Sequence, residues 1–270
     1  MLTYLIFLTV GVIIGITSSL FGFGGGFLVV PALFWLLPHA HVPTHLVMHV
    51  AVATSLTIMM LNSINSTWTH TRRGHINWAI FFSIAPAIAI GSILGAFLSI
   101  WISGNTLRYS FICFLSAIII RNLLNLNKEF KTVSPAEIKL PPAYLLKTMG
   151  LGIGAIATLL GVGGSVLTVP LLRRSKMRMI NAVALAAPLS LPVALFGATC
   201  YYIIGLHIAG LSNGFAGLIY LPAFFGIGLG GFIGVPLGAR IGHHLPDRFY
   251  ARIYILLQIL VILFMLKHQH

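Results

Sequence analysis

The feature that most constrains this chain is a series of long apolar runs with no Asp or Glu in any of them. The runs cover residues 2–37, 45–66, 76–103, 107–124, 143–172, 180–205, 211–238 and 249–266. A membrane-spanning helix takes roughly 20 apolar residues, and lipid offers its backbone no hydrogen bonds. Eight runs therefore predict an all-α, polytopic membrane protein of about eight transmembrane helices. Composition agrees: 58% of the 270 residues are hydrophobic and only 7% are charged. A soluble domain carries about 25% charged residues, so a soluble enzyme, a disordered chain and a disulfide scaffold are excluded. A β-barrel would need alternating segments of about ten residues, whereas these runs are continuous. Met1 to Leu20 lacks a basic start and a small-residue cleavage site and reads as part of the first span.

The chain carries 16 Lys and Arg against 3 Asp and Glu. Most of the basic residues lie between the runs, which suits loops against anionic headgroups rather than nucleic acid. The two cysteines, Cys113 and Cys200, sit within runs and have no zinc-type spacing. No cofactor is implied. No Walker loop and no nucleophile–base–acid set occur, so the chain is not expected to be an enzyme or a pump.

The chain repeats itself. Residues 21–33, FGFGGGFLVVPAL, recur as residues 160–172, LGVGGSVLTVPLL, at an offset of 139. Eleven of the 23 positions from Gly11 to Leu33 are identical at that offset. Residues 91–96 match 234–239 more faintly, and Arg108 then falls on Arg252. One transmembrane domain, residues 1–270, is thus read as repeats of about 1–124 and 143–270 joined by a polar loop, 125–142. Four spans in each repeat would bring both into the membrane from the same side, about an axis along the membrane normal. That count divides the basic residues evenly. Arg72, Arg73, the five from Arg121 to Lys147 and Lys267 fall on one side; Arg108, Arg173, Arg174, Lys176, Arg178, Arg240, Arg248 and Arg252 fall on the other. No orientation follows from it.

Each repeat opens with a glycine break. Four glycines within Gly22–Gly26 cost about 1 kcal/mol each relative to alanine in a helix, so helices 1 and 5 are expected to be broken. Unwound backbone at membrane depth is tolerated only inside the protein or beside a cavity. Past each break a half-helix starts, and its N-terminus is an anion site by virtue of its N–H groups and dipole. Close helix packing is the alternative reading of such small residues, and it is the one given to Gly11/Gly15, Gly91/Gly95, Gly150/Gly154 and Gly230/Gly234/Gly238.

These paired Gly-x-Gly-Gly-x5-Pro-x-Leu segments, the basic turn from Arg72 to Asn77 and the Ala53-Thr54-Ser55 sequence resemble the sulfite exporter TauE/SafE family of bacterial membrane transporters. The resemblance covers essentially the whole chain. It implies a multi-pass protein of the bacterial inner membrane that carries sulfite, an organosulfonate or another small sulfur-containing anion. The oligomeric state stays open, a homo-oligomer included. The expected substrate contacts are Gly22, Gly24, Gly25, Gly26, Phe27, Thr54 and Ser55 in the first half, and Gly161, Gly163, Gly164, Ser165 and Val166 in the second. Pro31 and Pro170 are expected hinges. One departure stands out: Ala186-Ala187-Pro188 occupies the place of a second Thr-Ser pair.

Other polar residues need assigning. Thr54, Ser55, Asn62, Ser63, Asn65 and Ser66 form a stripe that either meets substrate or joins helices. His39, His41, His45 and His49 could hold a metal, the basis of a competing reading as an intramembrane metal-handling protein or enzyme, and His49 could carry a proton. Arg108, Arg240 and Arg252 are expected mainly to snorkel to headgroups. Asn181 reads as a cap for the sixth span.

Overall fold

The computed structural model describes residues 2–21, 25–40, 42–72, 74, 76–125, 142–175, 177, 179–208, 211, 214–242 and 247–267. Among the described residues ten α-helices follow one another: α1 (Leu2–Phe21), α2 (Gly26–Leu36), α3 (Val47–Arg72), α4 (Trp78–Ile100), α5 (Gly104–Asn125), α6 (Ala143–Leu160), α7 (Ser165–Arg174), α8 (Met179–Gly205), α9 (Leu221–Gly242) and α10 (Asp247–Lys267). Five of them, α3, α4, α5, α8 and α9, are long and apolar enough to cross a bilayer. The fold is thus all-helical and polytopic.

The helices are arranged around α3 and α8, which are the most enclosed of the five. Their neighbours α4, α5 and α9, with α10, turn large apolar side chains outward, among them Phe82, Leu94, Phe97, Leu229, Phe232 and Leu263. An outer belt of this kind suits lipid, which does not penalise exposed leucine. Tryptophans mark its two edges. Trp78 and Trp101 bracket α4, 23 residues and so about 35 Å apart. Trp68 lies near the end of α3, where the Arg72 guanidinium stacks 4.7 Å over its ring. Aromatic side chains favour the headgroup level on both faces.

Glycine decides which helices touch. A Cβ on Gly11 would stand 2.5 Å from the Ile227 carbonyl oxygen, and one on Gly15 2.6 Å from that of Gly231. Gly230, Gly234 and Gly238 in turn lie against the carbonyls of Leu8, Val12 and Ile16. Helices α1 and α9 therefore meet backbone to backbone. Gly91 and Gly95 abut Leu151 and Ala155, and Gly154 abuts Ile88, which joins α4 to α6 the same way. The packing role read for these pairs is the one they have.

The same contacts give helix directions. Along α1 and α9 the paired residue numbers rise together, so the two are parallel, and so are α4 and α6. Helices α3 and α8 are antiparallel: Leu56 lies against Gly197, while His45 and His49 share a cavity with Tyr201, Ile204 and Ile208. Helix α2 runs back toward the face where α1 begins: Gly25 lies against Ile14 and Ser18, and Phe34 near the end of α2 meets Arg108 near the start of α5. The expectation of alternating crossings in two same-side repeats is corrected here. That order would require α3 and α8 to be parallel. Each glycine break instead folds its half-helix back toward the face from which the preceding helix came. Sequence periodicity cannot distinguish a broken span from a hairpin, since both show one apolar run with glycines inside.

Two smaller corrections concern boundaries. The seventh run does not start a helix at residue 211: a two-stranded hairpin pairs Phe215 with Tyr220 and Ala216 with Ile219, and α9 starts at Leu221. Gly217 makes its turn at φ 58°, pressed against the Tyr202 carbonyl. Asn181 lies inside α8, two residues past its start, so it does not cap it.

Candidate functional site

The two glycine breaks meet each other. Gly25, at φ 86°, starts α2 and accepts hydrogen bonds from the N–H groups of Leu28 (3.0 Å) and Val29 (3.1 Å). A side chain there would strike Ile14, 2.6 Å away. Gly161, at φ 65°, ends α6, and Gly163 and Gly164 accept the first-turn bonds of α7 from Val166 and Leu167, both at 3.1 Å. A Cβ on Gly26 would lie 2.6 Å from the Gly161 carbonyl oxygen and 3.1 Å from the Gly163 nitrogen. The starts of two half-helices are therefore in contact, one running toward each face. The positive ends of their dipoles converge on the same buried spot.

Ser55 stands at this junction. Its hydroxyl lies 3.2 Å from the Gly26 carbonyl oxygen and 3.0 Å from that of Gly161, so the one proton it can donate is shared between both breaks. The chain offers no equivalent from the second half, where Ala186 and Ala187 are fully enclosed in α8. Thr54, its neighbour, accepts a hydrogen bond from the Tyr220 N–H at 2.9 Å and so holds the hairpin. Phe27 and Val166 are fully buried behind the half-helix starts. Pro31 and Pro170 each occupy the sixth position of their half-helix, α2 and α7. Gly22 and Gly24 lie outside the described residues.

Buried hydroxyls flank both breaks along the chain. Ser18 and Ser19 at the end of α1, and Thr158, Ser165 and Thr168 around the second break, are buried and make no hydrogen bond with the protein. Leaving a buried polar group without a partner costs about 1–3 kcal/mol. Of these hydroxyls, Ser18 lies beside Gly25 and Ser165 is the first residue of α7. Elsewhere in the α3 stripe, Asn65 donates to the Phe232 carbonyl at 3.2 Å and Asn62 lies against Gly231, so both tie α3 to α9, while the buried Ser63 and Ser66 hydroxyls also lack a partner in the protein.

The remaining candidates are elsewhere. Arg108 does not snorkel. It is buried between α5, α2 and α10, stacks 5.2 Å over Phe34 and donates to the Met265 carbonyl in the last turn of α10. A cation favours that negative helix end. Arg240 is exposed at the end of α9, and the Arg252 side chain lies outside the described residues. His41 and the His39 side chain are also outside them. His49 places Nε2 3.2 Å from the Ser99 carbonyl oxygen and 3.1 Å from that of Ile102, which ties α3 to the end of α4. With His45 it lines a cavity of about 280 Å³, and among the described residues no group of three metal-ligating side chains forms.

An apolar bundle with discontinuous helices meeting at a buried polar junction defines a class, that of membrane transporters. Residues 7–265 match the model of the sulfite exporter TauE/SafE family, and the chain belongs to that family. It is 28% identical to a probable membrane transporter protein of Haemophilus influenzae, over 90% of each chain. A probable membrane transporter protein of Methanocaldococcus jannaschii is 32% identical over 72% of this chain and 70% of its own. The probable membrane transporter protein YdhB of Bacillus subtilis is 28% identical over 91% of each. No solved structure matches.

Proposed function

We propose that this protein is a secondary transporter of a small anion, sulfite, an organosulfonate or another sulfur oxyanion, bound where α2 and α7 begin. The observation that carries this reading is the head-to-head contact of Gly26 with the 161–163 segment. Two helix N-termini aimed at one buried point favour negative charge there. The buried hydroxyls of Ser18, Ser19, Thr158, Ser165 and Thr168 add donors that an oxyanion can use. No acid occurs within any apolar run to oppose an anion or to hold a metal cation. Gly25, Gly26, Ser55, Gly161, Gly163, Gly164 and Ser165 contact the anion in this reading, with Gly22, Gly24, Phe27, Thr54 and Val166 supporting them. Pro31 and Pro170 let the half-helices tilt.

The internal repeats take a new form in this reading. Helices α1–α5 and α6–α10 are two units of opposite direction, each a re-entrant hairpin followed by three crossings. What supports it is the exchanged packing: α1 with α9 and α6 with α4, then α3 with α8 and α5 with α10. Such a pair is related by an axis in the membrane plane, and the substrate sits on it.

Flux into liposomes holding the purified protein tests the proposal. Sulfite, sulfoacetate, thiosulfate, sulfate and chloride are each offered with and without a pH gradient. Saturable flux of a sulfur anion, unaffected by chloride, is expected. Saturable flux of none of them would overturn the reading.

A further inference from the structure

The helix directions sort the basic residues in a way that the eight-crossing order concealed. Let the face where α1 begins be the Leu2 face, and the one where α3 ends be the Arg72 face. At the Arg72 face lie the ends of α3, α5, α7 and α9 and the starts of α4, α6, α8 and α10. Basic residues on those helix ends are Arg72, Arg121, Lys147, Arg173, Arg174, Arg240, Arg248 and Arg252. Eight of the ten Lys and Arg among the described residues thus belong to one face. Only Arg108 and Lys267 belong to the other, and the Arg108 guanidinium is buried on the Met265 carbonyl. The only acid among the described residues, Asp247 at the start of α10, is on the Arg72 side and leaves it strongly positive.

We infer that the Arg72 face lies against the anionic cytoplasmic leaflet and the Leu2 face opens outside the cell. The physical ground is twofold. Short loops rich in Lys and Arg stay on the cytoplasmic side during insertion. The same residues are then held by anionic headgroups across a short screening length. All the connections involved are short, so the rule applies at full strength. The consequence for access is specific. The α1–α2 hairpin enters from outside and the α6–α7 hairpin from the cytoplasm, so each half-helix guards one route to the junction. The cavity lined by His45, His49 and Tyr201 lies on the outer side. This inference rests on helix direction and charge, and stands whatever anion is carried.

Single cysteines test it, in a chain with Cys113→Ser and Cys200→Ala. Thr44→Cys and Lys267→Cys are exposed positions at the Leu2 face, and Pro142→Cys is exposed at the Arg72 face. A membrane-impermeant maleimide is added to intact cells and to permeabilised ones. The expected result is full labelling of the first two in intact cells, and labelling of Pro142→Cys only after permeabilisation. Labelling of Pro142→Cys alone in intact cells would reverse the orientation and overturn the inference. Opposite behaviour of Thr44→Cys and Lys267→Cys would restore alternating crossings and overturn it as well. Parallel labelling in detergent checks that each thiol can react, and elution as a single species checks the fold.

Discussion

Ser55 is the side chain on which both glycine breaks depend. Its hydroxyl is shared by the carbonyls of Gly26, at the start of α2, and Gly161, at the end of α6. Ser55→Ala removes that link without adding bulk. A net hydrogen bond is worth about 1 kcal/mol and one to a charged group about 1.5–3. The expected outcome is a KM for the anion raised about tenfold, at normal protein yield, as measured by flux in liposomes. Arg108 makes the contrasting case. Arg108→Met takes away a donor to the end of α10 far from the junction. It is expected to lower the thermal unfolding midpoint, with KM unchanged in the protein that remains folded. The role of Ser55 was legible in part, since it was singled out beside Thr54. The actual task of Thr54, holding the Tyr220 N–H, was not, because the hairpin it serves carries no strong turn signal. Nor was the burial of Arg108, which depends on α10 ending beside it.

At the scale of elements, small residues perform two jobs that look alike in the chain. Those of α1, α4, α6 and α9 let backbones touch along straight helices, as at Gly15 against Gly231. In each break one described glycine, Gly25 or Gly161, sits at positive φ, where only glycine is unstrained. Spacing separates them: regular steps of four mark packing, and clusters mark breaks. Gly234→Leu drives a side chain into the Val12 carbonyl. Overpacking costs about 1–3 kcal/mol, so a lower unfolding midpoint is expected in a thermal melt. Substrate added at saturation is expected to raise that midpoint as much as in the wild type, since the junction is untouched. The breaks and the apolar runs are readable in the sequence. The reversal of α2 and α7 was not, because it is fixed by contacts such as Gly25 with Ile14.

For the whole molecule, reversal of two short helices alters every later assignment of side. With alternating crossings the 16 basic residues divide equally; with the observed directions eight of the ten among the described residues lie on one face. The equal division was itself the sign that the crossing order was wrong. The central claim concerns the junction, where two half-helix starts converge on an anion. It is tested most directly by the concentration dependence of sulfite flux in liposomes for the wild type, Ser55→Ala and Ser165→Ala, with Arg108→Met as control. Ser165 is a fully buried hydroxyl at the start of α7 with no partner in the protein. The expected result is a KM raised several-fold in both serine variants and unchanged in the control. Identical saturation curves for all four proteins would place the anion elsewhere and contradict the claim.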